Sequence, residues 1–382
     1  MRFYLTSCFI VWSLATVGQN NSLQQYISGN AKEMNTGAAG FKGLAFLDTL
    51  LIHKRIVLLG ESSHGTEEYS ETKLQLIQYL HQKLGFNVIL FESPMIPGAY
   101  FNLTKDSNSA EELIRNTIQT IWHTETVLKL FCYIKENNLF FGGIDPQFIS
   151  SSYPALLFSY AFNNYPEIKN DLLQLENRIA ETFQSGTQTE AIRDRFSTAY
   201  SRLSARMEKI PLNPLQERIR HIVTINSSYY AHINNGNERD SCMAKNLTWL
   251  AEKMYPNEKI IVWAHNSHID KNSSSAARFM GKVATEHFGE QLYAVGLYMV
   301  NGTTALNNRA IISIKKPSSN SLEGLLAASG FKTAFINTKD ESFNRPITTF
   351  HWGKDKQKLN LFKSYDAVIV INGVSPPVYL KE

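Results

Sequence analysis

The sequence predicts an α/β fold: a central, mostly parallel β-sheet flanked by helices, with an inserted helical lobe covering the carboxyl edge of the sheet. Three observations predict it. Short continuous apolar runs recur along the chain and stop at glycine or polar residues, the pattern of strands buried on both faces. The first two runs are separated by one amphipathic helical stretch, the spacing of a parallel crossover. A long amphipathic segment without strand signals then interrupts the series.

The elements follow in order. Residues 19–42 are polar and lead into one α/β domain over 43–382. The first strand is Arg55-Ile56-Val57-Leu58-Leu59, closed by Gly60. A helix follows from Thr66 to Leu84, with Tyr69, Leu76, Ile77, Leu80 and Leu84 at helical spacing and Gly85 as its stop. Thr66, or Ser63, suits its N-cap. The second strand is Asn87-Val88-Ile89-Leu90-Phe91. Further strands are expected at Leu139–Ile144, Lys259–Trp263, Leu292–Leu297, Ala310–Ile314, Thr333–Ile336 and Ala367–Ile371. Residues 151–235 read as the helical lobe, with Leu172, Leu175, Ile179 and Phe183 on one stripe. Insertions of this kind shape pockets or act as lids.

Composition narrows the function classes. The chain is 43% apolar and 19% charged, an ordinary globular balance. A net charge of +4 over 382 residues, without a basic run, argues against a nucleic-acid partner. Residues 1–18 read as a signal peptide: Met1-Arg2, an apolar stretch from Phe3 to Ala15, then small residues, with cleavage after Ala15 or Gly18. The expected destination is periplasmic or secreted. That stretch is too short for a comfortable membrane span, and no other approaches spanning length. Cys132 and Cys242 read as buried free thiols rather than a disulfide scaffold.

The chemistry lies where the strands end. The first runs into Gly60-Glu61-Ser62-Ser63-His64-Gly65, the second into Glu92, the third into Asp145, and the fourth into His265-Asn266-Ser267-His268. Parallel strands share one carboxyl edge, where ligands bind in open α/β sheets. Glu61, His64, Glu92, Asp145, His265 and His268 therefore converge on one crevice. His64 precedes the helix start, and the positive helix end favours a neutral imidazole able to take a proton. Lys73 either leans back to balance the carboxylates or is a solvated surface lysine. Arg239 and Asp145 are candidates for the substrate or for holding the lobes together. Trp122 reads as core. No P-loop, Gly-x-Gly-x-x-Gly, Gly-x-Ser-x-Gly or His-Glu-x-x-His is present.

These residues resemble a known family. Gly60-Glu61-Ser62-Ser63-His64-Gly65-Thr66, Lys73, Gly85-Phe86 and Phe91-Glu92 resemble the opening of the erythromycin esterases. Trp122-His123-Thr124-Glu125, Gly143-Ile144-Asp145-Pro146-Gln147, Arg239-Asp240-x-x-Met243-Ala244-x-Asn246 and Val262-Trp263-Ala264-His265-Asn266-Ser267-His268 continue in order. Tyr365-Asp366-Ala367-Val368 resembles the closing strand, so the likeness covers about residues 43 to 375. It implies hydrolysis of a macrolide lactone or other small-molecule ester, without a covalent acyl-enzyme and without an obligatory metal or other cofactor. It implies His64 as the general base, with Glu61, Glu92, His265 and His268 around it. One departure stands out: Lys73 occupies a position that is arginine in characterised esterases of the family. Lysine keeps the charge and loses the planar fork, which bears on the substrate more than on the chemistry. Two rival functions remain open at this stage. One is a metal-dependent hydrolase using His64, His265 and His268; the other is a non-catalytic exported protein that binds haem or another small molecule.

Overall fold

The computed structural model describes residues 22–34, 41, 43–147, 153–186, 189–232, 237–273 and 278–381. The leader expected at 1–18 lies outside the described residues, as does part of the 19–42 lead-in. Among the described residues no helix is long and apolar enough to cross a membrane.

An eight-stranded sheet forms the centre, in the order β1-β9-β12-β6-β2-β5-β3-β4. The strands are β1 (Lys32–Glu33), β2 (Ile56–Leu59), β3 (Phe86–Pro94), β4 (Phe140–Asp145), β5 (Lys259–Trp263), β6 (Leu292–Met299), β9 (Thr333–Asn337) and β12 (Ala367–Ile371). From β12 through β6, β2, β5 and β3 to β4 every pairing is parallel. At the other edge β9 pairs antiparallel with both β12 and β1.

The apolar runs are continuous because each strand feeds two cores. On β2, Val57 and Leu59 enter one core while Ile56 and Leu58 enter the other. The same alternation places Ile261 and Trp263 on one face of β5, and Ile260 and Val262 on the opposite face. The first crossover helix is Glu67–Leu84, ended by Gly85 in the left-handed region at φ 72°. Neither hydroxyl proposed as its cap makes that bond. Ser63 and Thr66 instead each bond Thr304 Oγ1 at 2.8 Å.

Between β4 and β5 lie the helices Tyr153–Ala161, Pro166–Ser185, Glu190–Met207 and Pro214–His232. They share a core of their own, in which Leu172, Leu175 and Ile179 are buried as the stripe predicts.

Two expectations change, and one element is unforeseen. The run Ala310–Ile314 supplies only β8 (Ile311–Ser313), which pairs with β7 (Thr303–Ala305) outside the main sheet. Its residues are exposed or half-buried, so the apolar run does not mark a core strand here. A polar hairpin, β10 (Pro346–His351) with β11 (Asp355–Asn360), has no apolar run to announce it. Finally, Cys132 is exposed rather than buried, whereas Cys242 is buried.

Candidate active site

Parallel pairing carries the ends of β2, β3, β4 and β5 to one edge of the sheet, and a cleft of about 380 Å³ opens there. His64, Glu92, Trp122, Arg239, His265 and His268 line it, together with His351 and Trp352 from the hairpin. The strand ends are held tightly. A Cβ on Gly60 would stand 2.2 Å from Asn266 Oδ1, so only glycine admits that approach. Asn266 in turn bonds the backbone N and O of Leu297, tying the β5 loop to β6.

Glu61 is the hub of the first group. It is buried beside His64, whose Nδ1 lies 2.7 Å from Oε1. Trp122 Nε1 donates to the same oxygen at 2.9 Å, and Lys73 Nζ donates to Oε2 at 2.7 Å. Burial raises the Glu61 pKa, but Lys73 and His64 outweigh it and hold the carboxyl below its ordinary value. An ionised carboxylate only accepts, so the His64 proton sits on Nδ1. With a single ring proton the lone pair is on Nε2, which no described residue bonds, on a side chain lining the cleft.

Lys73 is not a surface lysine. It is 0% exposed, with Nζ 4.4 Å from the centre of the Trp263 ring. Burial lowers its pKa to about 8 against the opposing pull of Glu61 and Glu92. It stands behind Glu61 and does not line the cleft.

The second group centres on Glu92. Its Oε1 faces Arg239 Nη2 at 2.8 Å and His268 Nε2 at 3.1 Å, and its Oε2 accepts from the His265 backbone N–H at 2.9 Å. Burial opposes its charge, yet His268, His64 and Arg239 hold it well below the usual carboxylate range. Arg239 also reaches Asp145 Oδ2 at 2.6 Å. Asp145 is buried behind Arg239 and away from the cleft surface, where it fixes the guanidinium.

The two histidines of the β5 loop divide sharply. His268 has a carboxylate at each nitrogen, with Asp240 Oδ1 2.8 Å from Nδ1 and Glu92 at Nε2. Burial disfavours its cation, but Glu92 and Asp240 prevail and lift its pKa to about 10. His265 goes the other way: burial first, then the neighbouring His64, holds it neutral. Its Nδ1 accepts from the Ser267 backbone N–H at 3.2 Å, which leaves the proton on Nε2, 3.2 Å from His351 Nε2.

His268 carries a stability prediction. Its folded pKa, about 10, lies above the ordinary value of about 6.5. The stabilisation is therefore complete below about pH 6.5 and is lost as pH rises through about 10. The lowered pKa of Lys73 adds the opposite slope, stability rising as pH climbs from about 8 towards its ordinary value of about 10.4. Urea midpoints measured across this range should fall less with rising pH in His268→Gln than in the parent. Parallel curves would refute the paired cation.

The sequence brought Glu61, His64, Glu92, Asp145, His265 and His268 to this edge; His64, Glu92, His265 and His268 line the cleft, Glu61 and Asp145 stand buried behind them, and Arg239 lines it as well while Lys73 does not. It missed the hairpin. The His351 ring lies 4.8 Å from that of His265, and Trp352 stacks on His265 at 5.5 Å. Gly353, a turn residue at φ 64° next to Trp352, was the available signal. Asp240 was also given no role, although it neighbours Arg239. Trp122, read as core, is buried and also bonds Glu61. Among the described residues no three His, Cys, Asp or Glu side chains have metal-holding geometry. His268 and His265 direct ring nitrogens at protein partners instead.

Comparison with known proteins places this geometry in a family. Residues 81–374 match the sequence family described as erythromycin esterase. YbfO of Bacillus subtilis (strain 168), whose name assigns it to the hydrolases, is 30% identical over 93% of this chain and 92% of its own length. An erythromycin esterase type II of Escherichia coli is 22% identical over 85% of this chain and 91% of its own length. In fold, the chain resembles an erythromycin esterase crystallised as a histidine-to-asparagine mutant in its open conformation. The TM-score is 0.71 at 17% identity, covering 92% of this chain and 99% of that one. With its sequence matched over residues 81–374, this chain belongs to the erythromycin esterase family.

Proposed function

We propose that the protein hydrolyses a carboxylic ester, a macrolide lactone among the candidates, by water activated at His64 without a covalent intermediate. One observation carries the reading: Glu61 holds the His64 proton on Nδ1 and leaves the Nε2 lone pair available to the cleft. A base must also tolerate the proton it takes. Glu61 beside His64 stabilises the imidazolium.

Nε2 removes a proton as the water oxygen bonds to the carbonyl carbon. The neutral His265 Nε2–H and the fixed charge of Arg239 stand at the same cleft to stabilise the oxyanion. Each such donor contributes about 2.7–4 kcal/mol to the transition state. The ester C–O bond then breaks, and the proton held by His64 passes to the leaving alkoxide. His268, with both nitrogens committed to carboxylates, is a fixed charge rather than the acid.

Ser267 supplies a second reading. Its Oγ lies 2.8 Å from His265 Nδ1, the contact of an activated serine. The depressed basicity of His265 weighs against it. Incubating the purified protein with simple esters and a macrolide lactone tests both. The expected result is products heavier by one water and an intact-protein mass unchanged during turnover. An acyl adduct on Ser267 would replace the His64 reading with the serine one, and no water addition to any ester would overturn both.

A further inference from the structure

The cleft of about 380 Å³ stands at the small end of ligand cavities, which run to about 1,000 Å³. Such cavities are lined predominantly by apolar side chains, and this one is not. Of its lining residues only Ile121, Trp122 and Trp352 are apolar, and the first two are buried. That leaves the half-buried Trp352 as the apolar wall, with its ring 5.5 Å from that of His64. Around it stand neutral hydrogen-bonding side chains from separate segments. Gln119 and Thr120 precede Trp122, Gln147 follows β4, Ser267 follows β5, and Asn307 lies between β7 and β8. Asn307 is exposed and Gln119 half-buried, and the side-chain amides of these two bond no described residue.

The charges of the wall are matched to one another. Arg239 bonds Glu92 and Asp145, and His268 lies between Glu92 and Asp240. An anionic substrate would meet these three carboxylates against two cations. A cationic one would find both oxygens of Glu92 already engaged. A long acyl chain or a large apolar ring would find one indole and a rim of amides and hydroxyls. A saturated ring bearing hydroxyls fits both surfaces. Its C–H face packs on an indole, and its rim bonds side-chain amides, each of which both donates and accepts. We propose that the substrate is an acylated sugar, a neutral polyhydroxylated ring esterified at one hydroxyl, with the ring against Trp352 and its free hydroxyls on Gln119 and Asn307. The inference rests on the ester hydrolysis proposed at His64. The hydroxyl of water joins the acyl carbon, the bond from that carbon to the sugar oxygen breaks, and the proton passes to the sugar oxygen, which releases a carboxylic acid and the free sugar.

Hydrolysis rates of the full chain test it. Monoacetyl methyl glucosides, galactosides and mannosides are set against cyclohexyl acetate, which keeps a ring and the acetyl group and lacks the hydroxyls. The expected result is a kcat/KM about a hundredfold or more higher for at least one sugar ester, because a site built to bond hydroxyls rejects an analogue without them. Gln119→Ala and Asn307→Ala should each shrink that ratio about fivefold, the contribution of one hydrogen bond, chiefly by raising KM for the sugar ester. The proposal is overturned if cyclohexyl acetate or a macrolide lactone is turned over as well as the best sugar ester, or if neither variant moves the ratio. Either result leaves hydrolysis at His64 standing, whereas no water addition to any ester removes both.

Discussion

Replacing His64 with alanine should leave the fold intact and lower kcat about a hundred- to ten-thousand-fold on whichever ester the enzyme turns over. The fold should survive because the ring is the outermost member of its group. Glu61 keeps its bonds from Lys73 Nζ and Trp122 Nε1, so its charge is not orphaned. The rate should fall because, among the described residues, no other imidazole pairs a buried carboxylate on one nitrogen with an unbonded, cleft-lining nitrogen on the other. His265 is held neutral by its surroundings, and both His268 nitrogens face carboxylates. Circular dichroism and steady-state kinetics on the same preparation give the answer. Near-parental turnover would remove His64 from the chemistry.

The largest stability effect should come from Lys73→Met. The side chain is 0% exposed, and its ammonium is the strongest influence opposing burial at Glu61. Removing one partner of a buried pair leaves the other uncompensated, at a cost of about 3–5 kcal/mol. Methionine fills similar volume against Trp263, so the loss reports charge more than packing. Adding Glu61→Gln to Lys73→Met should restore part of the stability, the signature of coupled residues in a double-mutant cycle. Urea denaturation of the four proteins measures it. A loss in Lys73→Met below about 1 kcal/mol would mean that the ammonium is not the counter-charge. The same variant should also slow turnover, because a Glu61 that takes up a proton no longer orients His64.

Much of this was legible in the chain because parallel sheets are plain to read. Each central strand is a short apolar run, and the residue after it lands at a known edge. That logic brings Glu61, His64, Glu92 and His265 together from segments up to 204 positions apart (Glu61 to His265). It cannot rank them. The roles of His265 and His268 depend on which partner each nitrogen faces, and a motif carries no such information. Lys73 was ambiguous because helical spacing does not say whether a neighbouring indole will cover the ammonium. The hairpin escaped notice because β11 is polar and buries no side chain, while β10 buries Ile347, Thr349 and Phe350 without a continuous apolar run. Thr66 and Ser63 show the converse: a sound local rule for capping yielded to a tertiary partner, Thr304.

The hairpin turn places Trp352 at φ 54°, a backbone conformation unfavourable for a bulky residue, and hangs it on Ser62 O through its own N–H at 2.9 Å. The turn is thus tied to the loop that bears His64, although nearly three hundred residues intervene (62 to 352). A single hydrogen bond joins the two segments there. The sheet rim supplies His64, while the hairpin supplies His351 and Trp352 to the contour met by an incoming molecule. Changing the hairpin would therefore reshape that contour, and through the Trp352 ring contacts the change would also be felt at His64 and His265.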